Sequence, residues 1–159
     1  MKITVAGISY VGLSNAVVCA QSNEVTIIDG DQEKVDMIND KYSPFVDYKI
    51  EDLLQKRNLN LKATTDAEEA FEGAECVIVA TTTNYEPEKE HHDYNDTIDV
   101  TTMIDFALDL APKALIVIKS EVPVGFIRQV KKSFATENII VDNSIFSPDI
   151  YNKKILYIP

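Results

Sequence analysis

The sequence predicts an α/β fold, an open and mostly parallel sheet wound with helices on both faces. One observation predicts it, and two more bound it. Short continuous apolar runs (Ile3–Ala6, Val25–Ile28, Cys76–Ala80 and Ala114–Ile118) alternate along the chain with helical patterns. Runs of this kind are parallel strands buried under helices on both sides. The 159 residues suffice for one domain, and a chain this long buries about 70% of its unfolded surface. Hydrophobic residues make up 45% and charged residues 26%, the balance of a soluble globular protein.

The first thirty residues organise the rest. Ile3-Thr4-Val5-Ala6 reads as a strand, and Gly7-Ile8-Ser9-Tyr10-Val11-Gly12 follows it at once. Leu13 to Gln21 has a small-residue helical pattern, and Val25-Thr26-Ile27-Ile28 ends in Asp29. Strand, tight turn, helix, strand and acid together outline a dinucleotide-binding βαβ unit. Gly7 lets the chain turn sharply out of the strand, and Gly12 lets the helix lie close to the sheet. The helix N-terminus offers free N–H groups and a partial positive charge to a pyrophosphate. Asp29, 22 residues after Gly7, stands where a carboxylate accepts hydrogen bonds from a ribose diol. The middle glycine of the pattern is Ser9 here. If that position needed a positive φ, a side chain would cost on the order of 1–2 kcal/mol. The glycines alone leave open an ordinary strand-to-helix turn that binds nothing. A methyltransferase also uses a glycine-rich first turn, usually with an acid just before it, but Val5-Ala6 precede Gly7.

Further along, Gln32 to Lys41 is an expected helix capped near Asp31, with Val35 and Ile38 on one face. Lys34, just past Asp29, is either a solvated surface lysine or within reach of an adenine or ribose edge. Tyr42 to Tyr48 is a loop holding Ser43-Pro44, Lys49 to Arg57 a short helix, and Leu59 to Thr64 a third strand. Asp66 caps a helix through Phe71. The strand Cys76–Ala80 runs into Thr81-Thr82-Thr83-Asn84, whose hydroxyl and amide groups sit at the mouth of the expected crevice. Tyr85 to Asp96 is polar and carries His91 and His92, which have no third ligand at a recognisable spacing and read as solvated, with no metal. Thr97 to Leu110 is helical, Ala114–Ile118 is a fifth strand, Phe126 to Phe134 a helix and Asn138 to Val141 a sixth strand. A last apolar run, Ile155–Ile158, follows. The expected strand order is 3-2-1-4-5-6, with ligands at the switch point where the first and fourth strands meet.

Composition excludes several functions. A formal net charge of −11 argues against nucleic acid or an anionic membrane as partner, because a phosphate-binding face needs clustered Lys and Arg. No apolar run approaches the ~18 residues that span a membrane. The chain starts directly with a strand, which leaves no room for a signal peptide and makes the cytoplasm the default location. Cys19 and Cys76 fall in a predicted helix and a predicted strand and read as buried thiols.

Longer stretches carry a resemblance. Met1-Lys2-Ile3 through Gly7, Tyr10-Val11-Gly12-Leu13-Ser14, Asn23 to Asp29, Lys34-Val35, Ser43-Pro44, Lys62-Ala63-Thr64, Ala80-Thr81 with Thr83-Asn84-Tyr85, Ile118-Lys119-Ser120 with Val122 to Phe126, and Phe146-Ser147-Pro148 occur in family order. On these segments the chain resembles the N-terminal domain of the NAD-dependent nucleotide-sugar 6-dehydrogenases, the family of UDP-glucose 6-dehydrogenase. The resemblance covers Met1 to about Pro148 and implies a dinucleotide-binding (Rossmann-type) domain over 1–148, followed by a short tail or strand over 149–159. It implies NAD as cofactor, in a family that oxidises a primary alcohol to a carboxylate in two steps. Gly7, Ser9, Tyr10, Val11 and Gly12 would surround the pyrophosphate, Asp29 would hold the adenosine ribose, and Lys34 would lie along the adenosine. Thr83 would line the nicotinamide side, Thr81 would also contact the cofactor, and Glu121 would either pair with the positive nicotinamide ring or spoil the water and hydroxyl network.

Four positions depart from the family pattern. Ser9 replaces a glycine and would either crowd the pyrophosphate or donate a hydrogen bond to it; Thr82 replaces a proline. Glu121 replaces an active-site threonine, and Asp149 replaces a glutamate implicated in catalysis. No complete catalytic set is expected. The family's nucleophilic cysteine, catalytic lysine and UDP-sugar pocket lie in a central helix and a second domain that have no counterpart in these residues. The resemblance therefore implies a truncated domain that binds NAD, takes a UDP-sugar only if the other domain is supplied, and is a monomer or weak dimer. A non-catalytic remnant with a drifted site, or an NAD(H)-sensing module, stays open beside it.

Overall fold

The computed structural model of the chain describes residues 1–56, 58–81, 94–122, 125–134 and 136–141. Strands and helices alternate: β1 (Lys2–Ala6), α1 (Tyr10–Cys19), β2 (Glu24–Ile28), α2 (Gln32–Asn39), α3 (Tyr48–Lys56), β3 (Leu61–Thr64), α4 (Ala67–Phe71), β4 (Cys76–Val79), α5 (Tyr94–Leu110), β5 (Leu115–Ile118), α6 (Phe126–Phe134) and β6 (Ile139–Val141). The six strands form one sheet in the order β3-β2-β1-β4-β5-β6, and every pairing is parallel. This is the doubly wound arrangement and the strand order that the sequence predicts.

The apolar runs are continuous because the sheet is covered twice. Successive side chains of a strand point to opposite faces. On one face Val5, Ile27, Ile78 and Val117 join Leu13, Val17, Val35, Ile38 and Leu54 of α1, α2 and α3. On the other, Ala6, Ile28, Val79 and Ile118 join Phe71, Ile104, Ala107 and Val130 of α4, α5 and α6. Phe71 stacks on Phe106 with ring centroids 6.2 Å apart, tying α4 to α5. Neither face is left for water, so polar residues within these strands, Thr4 and Thr26, are buried as well, and the Thr4 hydroxyl donates to the Ala70 carbonyl.

Register lines up the strand ends that matter. Ala6 pairs with Ile28 on one side and Val79 on the other, and Val79 pairs with Ile118. The residues that follow, Gly7, Asp29, Ala80 and Lys119, therefore leave the sheet along one edge.

Three helix starts differ from the sequence reading, that of α3 by one residue, at Tyr48 rather than Lys49. α1 begins at Tyr10 rather than Leu13, because Ser9 is its N-cap. α5 begins at Tyr94 rather than Thr97. Cys19 and Cys76 are both buried, as expected. Thr82, Thr83, His91, His92, Phe146-Ser147-Pro148, Asp149 and the run Ile155–Ile158 lie outside the described residues. Among the described residues no helix is long and apolar enough to cross a membrane, and no group of three or more His, Cys, Asp or Glu could hold a metal ion.

Candidate cofactor cleft

The cleft opens where the strand order reverses, between β1 and β4. Gly7 makes the turn out of β1 at φ +105°, a conformation that a side chain rarely adopts. A Cβ there would also stand 2.8 Å from the Ala80 carbonyl oxygen and from the Thr81 Cα. A Cβ on Gly12 would meet the Gly7 carbonyl oxygen at 2.0 Å. The two glycines thus set how closely α1 approaches the ends of β1 and β4.

Ser9 is an unstrained cap. Its backbone is extended (φ −90°, ψ 170°), so no positive-φ strain arises there. Its Oγ accepts the Gly12 amide at 2.9 Å and donates to the Ala80 carbonyl at 2.6 Å. The side chain is buried and its one hydroxyl proton is spent on the Ala80 carbonyl inside the protein. It serves as an N-cap, where serine is among the preferred residues.

That cap decides which amides remain. The first amides of a helix have no partner within it. Gly12 donates to Ser9 Oγ and Leu13 to the Ser9 carbonyl at 2.8 Å. Among the described residues the Tyr10 and Val11 amides have no such partner, and they stand at the positive end of the α1 dipole. Both side chains are exposed, at 53% and 45%.

Asp29 does more than end β2. Its Oδ2 accepts the Ile8 amide at 2.6 Å and its Oδ1 accepts the Asp31 amide at 3.0 Å. A carboxylate offers about four acceptor sites, so two lone pairs stay available for ribose hydroxyls. Lys34, in the first turn of α2, sits 3.8 Å from Asp31 Oδ2. Asp31 in turn donates its amide to Asp29, which links Lys34 to that carboxylate at one remove.

Across the switch point, Thr81 follows β4. Its Oγ1 lies 3.2 Å from Ser120 Oγ, which in turn lies 3.0 Å from the Thr81 carbonyl oxygen. Ser120 is buried and holds the ends of β4 and β5 together; the sequence reading gives it no role. Glu121, the next residue, is exposed. With β2 and β5 on opposite sides of the β1–β4 pair, Asp29 and Glu121 flank the cleft from opposite sides. Thr83 and Asp149 are outside the described residues.

The sequence reading also passes over Asp47 and Phe45. Asp47 Oδ2 accepts the Tyr10 hydroxyl at 2.7 Å. The Tyr10 ring meets Phe45 edge-on, with centroids 6.1 Å apart. An aspartate just before a helix was a legible capping signal, but its partner 37 residues away was not.

A cleft with amide donors at its centre and a carboxylate to one side suits a ligand that has a pyrophosphate in the middle and a nucleoside at either end. Fold and cleft together define a dinucleotide-binding domain. Residues 1–151 match the UDP-glucose/GDP-mannose dehydrogenase family, NAD binding domain; the chain belongs to that family, and its dinucleotide is NAD. It is 39% identical to the UDP-glucose 6-dehydrogenase of Streptococcus pneumoniae, over 99% of this chain and 38% of that protein. It is 34% identical to the UDP-glucose 6-dehydrogenase of Campylobacter jejuni, over 94% of this chain and 36% of that one. The chain thus spans little more than a third of these relatives. Among solved structures it is similar to a ternary complex of GDP-mannose dehydrogenase from Pseudomonas aeruginosa (TM-score 0.74, 25% identity, 89% of this chain and 35% of that one).

Proposed function

We propose that residues 1–148 are the NAD-holding part of a nucleotide-sugar 6-dehydrogenase acting on a UDP-sugar such as UDP-glucose, with 149–159 as a short extension. The observation that carries this reading is the hydrogen bond from the Ile8 amide to Asp29, which joins the pyrophosphate turn to the ribose acceptor. In this reading the Tyr10 and Val11 amides donate to the pyrophosphate, and Gly7, Ser9 and Gly12 shape the turn that presents them. Asp29 accepts from the adenosine ribose hydroxyls, and Lys34 lies along the adenosine. Thr81, Thr83 and Glu121 line the nicotinamide side. Bound NAD⁺ supplies the hydride acceptor for oxidation of a primary alcohol.

Asp29 also selects the cofactor. A 2′-phosphate about 4 Å from its carboxylate would be repelled by roughly 1–4 kcal/mol, from water-like to surface-like screening. NADP⁺ is therefore expected to bind at least about fivefold more weakly than NAD⁺, and Asp29→Ala to narrow that gap.

Residues 1–159 are expected to hold NAD without oxidising a sugar nucleotide on their own. Covalent catalysis needs an activated thiolate. Cys19 and Cys76 are both buried, and burial, with Cys19 nearby, pushes the Cys76 thiol up to about 12. The drifted-remnant reading rested partly on Ser9, and its capping role removes that support.

Thermal unfolding with and without NAD⁺ tests the reading. NAD⁺ at 100 times its Kd stabilises by about 2.7 kcal/mol. For a domain of this size that raises Tm by roughly 5–11 °C. A rise with NAD⁺ and a smaller one with NADP⁺ is expected; no rise at millimolar NAD⁺ would overturn the proposal.

A further inference from the structure

We infer that Asp47 is a positioning residue for the cofactor: through the Tyr10 hydroxyl it holds the pyrophosphate-binding turn of α1 against the loop before α3. The inference rests on the reading that NAD binds at that turn. Tyr10 is the first residue of α1, and in that reading its amide is one of the two that donate to the pyrophosphate. Its side chain is more than half exposed, yet its hydroxyl donates to Asp47 at 2.7 Å. Asp47 uses both oxygens. Oδ2 takes the Tyr10 hydroxyl, and Oδ1 takes the amides of Lys49 at 2.8 Å and Ile50 at 3.2 Å at the start of α3.

The loop that presents Asp47 is itself held. Ser43 Oγ accepts the Phe45 amide at 3.1 Å and donates to the Phe45 carbonyl at 2.8 Å. The Asp47 amide closes onto that same carbonyl at 2.9 Å. Phe45 lies against the core cluster under α1 and α3 and meets the Tyr10 ring edge-on. Its neighbour Val46 is fully exposed, so the loop is anchored at Phe45 and Asp47 rather than along its length. The α1 turn is therefore gripped from two directions: Asp29 binds the Ile8 amide from the end of β2, and Asp47 binds the Tyr10 side chain from the start of α3.

Asp47 faces a phenol proton on one oxygen and two helix amides on the other. Tyr10→Phe should release the turn without disturbing the α3 cap, which uses only Oδ1.

The test is a double-mutant cycle on the same chain, read as NAD⁺ affinity by titration calorimetry, with thermal unfolding of each variant in the absence of cofactor. Tyr10→Phe is expected to weaken NAD⁺ binding about three- to tenfold, the range set by one hydrogen bond. Its unliganded Tm should stay within about 1–2 °C of the parent, as for a surface contact. Asp47→Ala should weaken NAD⁺ by at least as much. The double variant should be no worse than Asp47→Ala, and Asp47→Asn, which keeps an acceptor for the hydroxyl, should recover most of the loss. Unchanged affinity in Tyr10→Phe, or strictly additive losses in the cycle, would overturn the inference while leaving the NAD reading intact. A parent chain that binds no NAD⁺ would overturn both.

Discussion

Gly12 shows how little tolerance a single residue of the cleft has. A methyl group there would overlap the Gly7 carbonyl oxygen at 2.0 Å, and that atom is backbone. Gly12→Ala is therefore expected to displace α1, to cost about 3 kcal/mol or more, and to abolish NAD⁺-dependent stabilisation; urea unfolding and the thermal assay measure the two effects separately. Lys41 offers the opposite case. It ends α2 at φ +65°, a left-handed conformation that costs a side chain about 1–2 kcal/mol. Glycine removes that cost but frees the unfolded chain by about 0.4–1 kcal/mol. Lys41→Gly is expected to stabilise by about 0.5–1 kcal/mol with no change in NAD⁺ affinity, read from the urea midpoint and from calorimetry. Gly7, Gly12 and Asp29 were legible as residues because their spacing alone marks the turn and the acid. Ser9 was not: read as a displaced glycine it looked like damage, whereas the same hydroxyl read as a helix cap looks ordinary.

At the scale of the element, the edge strand β3 is closed by a side chain. The Asn39 amide group pairs with Ala63 twice, donating to its carbonyl and accepting its amide, both at 2.9 Å. The pair imitates a further strand where β3 would otherwise present bare backbone. Asn39→Ala is expected to cost about 1 kcal/mol for each bond lost. It should also raise concentration-dependent association, which sedimentation would reveal. The element boundaries were legible to within a few residues. Periodicity reports where apolar side chains recur, but not where the first backbone hydrogen bond closes. α1 starts three residues before its apolar pattern because Ser9 sets the cap, and only the folded backbone shows that.

Across the whole molecule the charge-bearing contacts define a pH range. Asp47 is held below its usual carboxylate value, first by the Tyr10 hydroxyl and then by the Ile50 and Lys49 amides. Its contribution is present above its unfolded value of about 4 and is lost as pH falls through the lowered folded value. The Tyr10 phenol is held above its ordinary value by its hydrogen bond to Asp47 and by that residue's charge. Its contribution is complete below about pH 10 and is lost as pH rises through the raised folded value. The stability difference between the parent chain and Tyr10→Phe should therefore be level from about pH 5 to about pH 9 and shrink below about pH 4, in urea titrations across that range. The thiols give a second whole-molecule test. With both cysteines buried and the Cys76 thiol pushed up to about 12, a thiol reagent at pH 8 should label neither in the native protein and both in denaturant.

By itself, the sequence determined the doubly wound architecture and strand order, and its resemblance to a known family implied the cofactor. The architecture follows from signals carried within short stretches: continuous apolar runs that must be covered twice, and two glycines followed by an acid at the end of the next strand. Only the tertiary structure decided how the cleft is held. Tyr10 meets Asp47 across 37 residues, and Thr81 meets Ser120 across 39. The Ile8 amide meets Asp29 across 21. Each partner is chosen by strand register and by the path of a connecting loop. No local period records those distances, because a hydrogen bond depends on where two backbones end and not on how far apart their residues lie in the chain.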